Sequence, residues 1–190
     1  MSSTSPFVDR LFSFIGWDAG AWRVERIAAV AGEPVPGVRA ISVVPGSVEP
    51  PSGASWLLRG ITSNERYVER GEKATLVSRQ EGLGRAASTR AALIPIRKNP
   101  AWWALTQDER RAVFEAQSQH IAIGMKYLPA VARRLHHCRD LGPAEPFDFL
   151  TWFEYAPADA SAFEELLGAL RASPEWKYVD REVDIRLERD

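Results

Sequence analysis

The stretch that decides the fold is residues 147–154, which read Phe-Asp-Phe-Leu-Thr-Trp-Phe-Glu. Short runs of aromatic and apolar residues are typical of strands, and this one follows a Gly- and Pro-containing loop at residues 142–146. Residues 131–137 precede the loop, and their odd-numbered side chains share one strand face. The sequence therefore predicts two consecutive strands here.

Further patterns extend upstream of this pair. Residues 91–96 are a short apolar run suited to a buried strand. Thr106 and Glu109 have the spacing of a capping box, so we predict a helix that begins there and continues to about Leu128. Pro129 should end this helix and let the chain turn into the first strand of the pair.

Downstream of the pair, residues 161–170 carry apolar side chains on one helical face, with a second possible capping box at Ser161 and Glu164. Residues 178–187 alternate, which predicts a strand with apolar side chains inward and charged side chains outward. The second half of the chain therefore has the order βαββαβ. This order is that of a ferredoxin-like unit, within the α+β class.

The first half reads as short strands at residues 11–17, 39–44 and 56–61, followed by a helix over residues 65–80. It looks like an abbreviated relative of the second half, although no sequence repeat of fixed period is present. No segment has the character of a flexible linker, so we expect one compact unit.

Composition excludes several classes of protein. The 190 residues are 45% hydrophobic and 26% charged, which is typical of a globular protein and not of a disordered or collagen-like chain. The formal net charge is −1, so no global field attracts nucleic acid or an anionic membrane, and neither is expected as a partner. No apolar run is long enough to span a bilayer. The start of the chain lacks a secretory signal pattern, so we expect a cytoplasmic protein.

Tryptophan is unusually frequent, with seven residues. Trp is often recruited to ligand cavities and interfaces, but an aromatic core would explain the same count equally well. The seven lie at positions 17, 22, 56, 102, 103, 152 and 176.

Histidine is the natural place to look for chemistry, and the chain has three, at positions 120, 136 and 137. Together with Cys138, the only cysteine, they lack the spacing of a zinc site, and an adjacent His-Cys pair points to opposite faces of a strand. His120 differs because it begins an apolar segment in which Gly124 leaves space for a flat group. Taken alone, such a histidine is more often an ordinary core residue than a ligand.

From about Phe12 to Arg189 the chain resembles the chlorite dismutase family of haem proteins, and specifically its shorter, dimeric group. The matching segments occur in the family's order. They are residues 59–60, residues 66–70 (Arg-Tyr-Val-Glu-Arg), residues 91–98 (Ala-Ala-Leu-Ile-Pro-Ile-Arg-Lys), Trp102-Trp103, the stretch from His120 to Tyr127-Leu128-Pro129, residues 147–154, and residues 175–182 (Glu-Trp-Lys-Tyr-Val-Asp-Arg-Glu).

The resemblance implies haem b as cofactor, with His120 as the proximal iron ligand and Arg133 as the distal arginine. It also implies two tandem ferredoxin-like halves of the dimeric α/β-barrel type, an abbreviated one at residues 1–88 and one at residues 89–190 that holds the haem. Thirteen residues of unbroken helix would place Arg133 about 20 Å beyond His120. Pro129 allows the chain to return across the other face of the ring.

Other residues receive roles by the same resemblance. Glu175 is expected to accept a hydrogen bond from the His120 imidazole, with Lys98 paired to Glu175. For Trp102 and Trp103, walls at the haem edge are implied, although plain packing explains both equally well. The matching residues Arg66 and Tyr67 are candidates for contacts with the haem propionates. Ordinary packing or pairing with other surface residues explains both equally well.

The implied activity is conversion of chlorite to chloride and dioxygen through a ferryl and hypochlorite stage, with Arg133 retaining the hypochlorite. Two alternatives stay open: a coproheme decarboxylase, which typically lacks the distal arginine, and a non-catalytic haem-binding or haem-transfer protein with weak peroxidase activity. The short first half favours a homodimer. Residues 135–138 read Leu-His-His-Cys where many members have Leu-Tyr-His-Ser.

Overall fold

Eight antiparallel strands close a barrel in the computed structural model, which describes residues 10–62 and 82–190. Their order around the barrel is β1-β3-β2-β8-β5-β7-β6-β4. The bounds are β1 Leu11–Trp17, β2 Trp22–Ala31, β3 Ala40–Pro45, β4 Trp56–Thr62, β5 Arg90–Lys98, β6 Ala132–His137, β7 Phe149–Tyr155 and β8 Val179–Glu188.

Seven of these strands match the predicted ones, and β2 was missed. Its alternation is broken by register shifts against β8 between Val24 and Arg26 and between Ala29 and Ala31. Charged residues and alanines, which are poor strand formers, fill much of its length. The pairing with β8 specifies this strand better than its own sequence does.

The barrel consists of two well-paired blocks joined by short junctions. β1 pairs along its length with both β3 and β4, while β2, β8, β5, β7 and β6 form the larger block. Within the described residues, β2 meets β3 through two residue pairs, at Trp22 and Arg23. β4 likewise meets β6 through two pairs, at Ile61 and Thr62.

The described helices are α1 Pro100–Ala104, α2 Gln107–Arg111, α3 His120–Lys126 and α4 Ala160–Arg171. The Thr106 capping box is confirmed, since the Thr106 side chain and Glu109 each bond the other's backbone N–H. The prediction of one continuous helix to Leu128 was wrong. A π-helical turn, Ala112–Gln117, follows α2, and the chain then breaks at Gln119, which has a left-handed φ of 51°.

Helix α4 lies where the sequence places a helix, but the second capping box was wrong. A 3₁₀ turn, Pro157–Asp159, leads directly into α4, so Asp159 takes the N-cap position and no side chain caps the helix. The polar Ser161 and Glu164 therefore lie inside the helix.

The larger sheet is buried on both faces. Inside the barrel, Phe14, Leu93 and Trp152 belong to one apolar cluster, and on the outer face Phe153 and Phe163 belong to a second cluster beneath α4. Strand β8 lies between the two clusters.

The charged side chains of β8 lie outward from the barrel, as the alternation predicts, but they are covered there by α4. Glu182, Asp184 and Arg186 are all less than one tenth exposed. Burial is tolerated because Arg171 of α4 pairs with Glu182 and Asp184, and Arg186 pairs with Glu164.

The second half has the predicted order of strands and helices, β5, α1 to α3, β6, β7, α4, β8. Its division from the first half at residue 88 and the ferredoxin-like character of each half stay predictions. The predicted helix over residues 65–80 lies outside the described residues. Among residues 10–62 and 82–190, none of the helices has the length and apolar character needed to cross a membrane.

Candidate functional site

A cleft lies between the outer face of the larger sheet and the helices that follow β5. It contains a cavity of about 80 Å³. The sheet supplies Ile96, Leu135, His137, Phe149 and Thr151, and the opposite wall comes from Trp102, Phe114, His120 and Trp176, with Lys98 and Glu175 at one side. The walls are mainly apolar, and the chemistry-bearing side chains are few and well defined.

His120 is the first residue of α3 and lines the cleft. Its Nδ1 lies 2.8 Å from Glu175 Oε2, and its ring stacks on Phe114 with centroids 4.3 Å apart. In the neutral form that a metal ligand requires, an imidazole held in this way donates Nδ1–H to the carboxylate and keeps a lone pair on Nε2. The arrangement suits a metal ligand.

Glu175 is a buried carboxylate with a partner on each oxygen. Oε1 accepts a 2.7 Å hydrogen bond from Lys98 Nζ, and Oε2 is the oxygen that contacts His120. Burial alone would raise the pKa of Glu175, but the charges and hydrogen bonds of His120 and Lys98 outweigh it and lower this pKa to about 2. Glu175 is therefore ionised at neutral pH.

Lys98 is fixed from several directions at the end of β5. Its ammonium lies 4.6 Å from the Trp102 ring centroid and 5.4 Å from that of Trp176. Its backbone N–H donates to Asp148 Oδ2 at 2.7 Å. Asp148 thereby secures the strand end that presents Lys98 to Glu175.

Sequence reasoning missed several residues that hold this cluster. Glu115 accepts a hydrogen bond from the backbone N–H of Ile121 and so satisfies a donor at the start of α3. Ser118 accepts one from the backbone N–H of Glu175. No local signal marks these residues, because each contact depends on the break between the π-helical turn and α3. Asp148 lies within a stretch that the sequence analysis used only as a strand.

Arg133 lies on β6, two residues from Leu135, which lines the cavity; Arg133 itself is absent from that lining. A Cβ placed on Gly124 of α3 would come within 2.2 Å of Arg133 Nη1, so the guanidinium rests directly against that glycine. Gly124 is one helical turn beyond His120 and on the same face. Burial lowers the pKa of Arg133 from its usual value. Arginine nonetheless keeps its charge in proteins.

The two tryptophans have different positions. Trp102 is fully buried and lines the cavity. Trp103 is absent from the lining of that cavity and contacts its wall from behind, stacked on Phe149 with centroids 6.1 Å apart. Arg139 lies 4.0 Å from the Trp103 centroid on the side of a neighbouring groove. Arg66 and Tyr67 fall outside the described residues.

The residues present fit a haem group on three observations. An imidazole backed by an ionised carboxylate is a common ligand arrangement for haem iron. Gly124 lets a flat group lie directly on α3, as the Arg133 guanidinium does in this structure. That guanidinium also places a positive charge one helical turn beyond His120. Together these features give an apolar cleft with a nitrogen ligand and a nearby cation.

The chain is similar to proteins of one known family. The sequence profile of the chlorite dismutase family matches residues 53–188. A chlorite dismutase of Ideonella dechloratans is 33% identical over 123 residues, which cover 64% of this chain and 40% of that protein. The chain thus spans well under half the length of this relative.

Solved structures show the same similarity. The crystal structure of dimeric chlorite dismutases from Nitrobacter winogradskyi has 58% identity and a TM-score of 0.87, covering 94% of this chain and 99% of that one. A mutant chlorite dismutase from Candidatus Nitrospira defluvii in complex with cyanide has 18% identity and a TM-score of 0.66, and shows a shared fold. The profile match covers more than two thirds of the sequence, and the chain therefore belongs to the chlorite dismutase family.

Proposed function

We propose that this protein binds haem b through His120 and converts chlorite to chloride and dioxygen. The observation that carries the proposal is the linked set of Lys98, Glu175 and His120 at the cleft, with the Arg133 guanidinium against Gly124, one helical turn beyond His120. The family membership supports the same activity.

His120 is the residue that would hold the iron, through Nε2. Glu175 would fix the ring orientation and increase the electron donation of the imidazole. Lys98 neutralises part of the carboxylate charge and so limits that donation. The chemistry that haem would supply is oxygen-atom transfer at its iron.

Arg133 has the task of binding and retaining the oxyanion. Chlorite, ClO₂⁻, contains the atoms of both products, Cl⁻ and O₂, so no external reductant or oxidant is required. A guanidinium in a cleft with apolar walls attracts a small anion strongly, because little water screens the charge. The same side chain would hold hypochlorite until the two oxygen atoms combine.

Binding of haem requires movement of Arg133. The 80 Å³ of the cavity is below the roughly 300–1,000 Å³ of typical ligand pockets. The guanidinium that rests on Gly124 would have to move for a flat group to occupy that space on α3. In the proposed enzyme Arg133 would then bind the oxyanion from β6.

Two measurements test the proposal. We expect the purified protein to take up haem b with a His-ligated absorption spectrum that His120→Ala abolishes, and to evolve oxygen when chlorite is added. Arg133→Ala should lower turnover by about 100-fold, the scale seen for loss of one oxyanion-binding group, and should hasten bleaching of the haem. Arg133→Lys keeps the charge without the planar fork and should be intermediate.

Other results would overturn the proposal. Haem uptake without oxygen evolution would favour the haem-binding or haem-transfer alternative. Conversion of coproheme without chlorite turnover would favour a decarboxylase, against the presence of Arg133. An unchanged spectrum in His120→Ala would remove the assigned ligand.

We also propose a homodimer in the cytoplasm. The relative at 58% identity is described as dimeric, which supports the same assembly here. Light scattering of the purified protein tests it, and a mass near the 21.2 kDa of one chain would contradict it. Tandem ferredoxin-like halves divided near residue 88 are part of the same proposal.

A further inference from the structure

We propose that Ser118 is a positioning residue that holds Glu175 in place and, through Glu175, sets the orientation and electron donation of His120. The inference rests on the proposed haem site. Ser118 itself is absent from the lining of the cavity and lies at the break between the π-helical turn and α3.

The backbone N–H of Glu175 has no hydrogen-bond partner within its own turn. Glu175 is the second residue of the 3₁₀ turn Pro174–Tyr178, where the first N–H groups have no partner within the turn. Pro174 has no N–H, so Glu175 carries the first unsatisfied donor. Ser173, at the N-cap position, makes no side-chain capping hydrogen bond, and its hydroxyl donates to the Leu170 carbonyl.

The hydroxyl of Ser118 supplies the missing acceptor for this N–H. Ser118 Oγ accepts a 2.9 Å hydrogen bond from the backbone N–H of Glu175, and both residues are less than 5% exposed. Water has little access to this N–H, so the serine hydroxyl takes the place of an N-cap from another part of the chain. The main chain of Glu175 is thereby fixed relative to α3.

Ser118 and His120 both contact Glu175, one at its backbone and one at its side chain. His120 lies two residues after Ser118, and its Nδ1 contacts the Glu175 side chain at 2.8 Å. Residues 118 and 120 therefore clasp Glu175 at its backbone and at its carboxylate, respectively. The left-handed conformation of Gln119 between them lets both side chains meet one residue. Without the backbone contact, the carboxylate loses one of the two anchors that keep it on the imidazole.

The test uses the full chain, with and without haem. In the haem-free protein, ¹⁵N-histidine NMR follows solvent exchange of the Nδ1–H of His120. We expect Ser118→Ala to speed this exchange by about 10-fold, the scale set by the net contribution of one hydrogen bond. With haem bound, the iron midpoint potential should shift to more positive values, because a weaker carboxylate contact makes the imidazole a poorer donor.

Three further variants make the test specific. Ser118→Thr restores a hydroxyl and should return both readouts toward wild type, while Ser118→Cys keeps the size but offers a weak acceptor and should resemble alanine. Ser173→Ala removes a hydroxyl from the same 3₁₀ turn without touching Glu175 and should leave both readouts unchanged. If Ser118→Ala fails to fold, the cysteine and threonine variants carry the comparison.

Unchanged exchange and potential in Ser118→Ala would overturn the inference. So would failure of threonine to rescue, or an equal effect of Ser173→Ala, since each would point to loss of general stability. If the protein takes up no haem, the proposed function fails, whereas the exchange measurement on haem-free protein still decides the role of Ser118.

Discussion

At the scale of single residues, the site depends on the charge state of Glu175. Its side chain is 6% exposed and touches a buried lysine and a histidine. Removing one member of a buried ion pair leaves the other charge without compensation, which usually costs more than the pair itself contributes. The carboxylate is thus required for the fold as well as for the imidazole.

Glu175→Gln should lower the free energy of unfolding by about 3–5 kcal/mol at neutral pH, because Lys98 stays buried without its partner charge. The pH dependence should change as well. Since the folded pKa is about 2 and the ordinary value 4.5, the contribution of Glu175 is complete above pH 4.5 and is lost as pH falls toward 2. This contribution of Glu175 to the free energy of unfolding amounts to about 3 kcal/mol.

Urea unfolding of both proteins at several pH values between 2 and 7 measures these effects. The double variant Lys98→Met with Glu175→Gln should recover part of the lost stability, because it removes the stranded charge. Equal acid sensitivity of wild type and Glu175→Gln would contradict the assigned pKa.

Gly124 permits a matched comparison between two helical glycines. Gly124→Leu should prevent haem uptake, because its side chain would occupy the space on α3 that the Arg133 guanidinium fills in this structure and that the haem is proposed to enter. Gly168 in α4 has open space around its Cβ position, so Gly168→Leu should leave haem uptake intact. Both variants should fold, because leucine favours helix over glycine by up to about 1 kcal/mol. Haem titration followed by absorption decides the comparison, and equal uptake by both variants would contradict the placement of the recess.

At the scale of elements, the break before α3 is the feature that sequence patterns did not reveal. The capping box at Thr106 is a local signal and was predicted correctly. The π-helical turn and the break at Gln119 accompany two contacts that no local pattern marks, Glu115 with Ile121 and Ser118 with Glu175. The strands were predicted well where apolar residues alternate or cluster, as in β7. Strand β2 was missed because its partner β8 determines its register.

Gln119→Gly should stabilise the protein by about 0.5–1 kcal/mol. A left-handed conformation costs a residue with a side chain roughly 1–2 kcal/mol, and the entropy of glycine in the unfolded chain takes back about half. Gln119 is exposed and its side chain caps no helix end, so little else is lost. The matched change Gln117→Gly, within the π-helical turn, should instead be destabilising by about 1 kcal/mol. Thermal unfolding of both variants checks the opposite signs.

At the scale of the whole molecule, the barrel interior and the cleft share strands. β6 places Arg133, Leu135 and His137 toward the cleft and His136 toward the barrel, where it contacts Phe12 and Phe14 edge-on. Sequence alternation predicted which residues share a face. It did not show that both faces would be covered, because that depends on where α4 packs.

His136 should make the whole fold sensitive to mild acid. Burial, above all, lowers the pKa of His136 to about 4 from 6.5, with the charges of Arg134 and His137 acting in the same direction. The unfolded chain therefore binds a proton that the folded chain refuses. Stability is complete above pH 6.5 and falls by about 3 kcal/mol as pH drops to 4.

Replacing His136 by Phe keeps a ring in the barrel and should remove this loss. Guanidinium unfolding at pH 7 and pH 4.5 makes the comparison, and an unchanged pH slope in His136→Phe would assign the acid sensitivity elsewhere.

The two short junctions between the strand blocks should open first among the described strands. A sheet opens most readily where the fewest backbone hydrogen bonds must break together, and among residues 10–62 and 82–190 the β2–β3 and β4–β6 pairings are the shortest. Hydrogen–deuterium exchange should mark Ile61 and Arg23 well before Leu93 in the middle of the larger block. Because His137 belongs to one of these junctions and lines the cavity, each brief opening there also loosens a wall of the cleft.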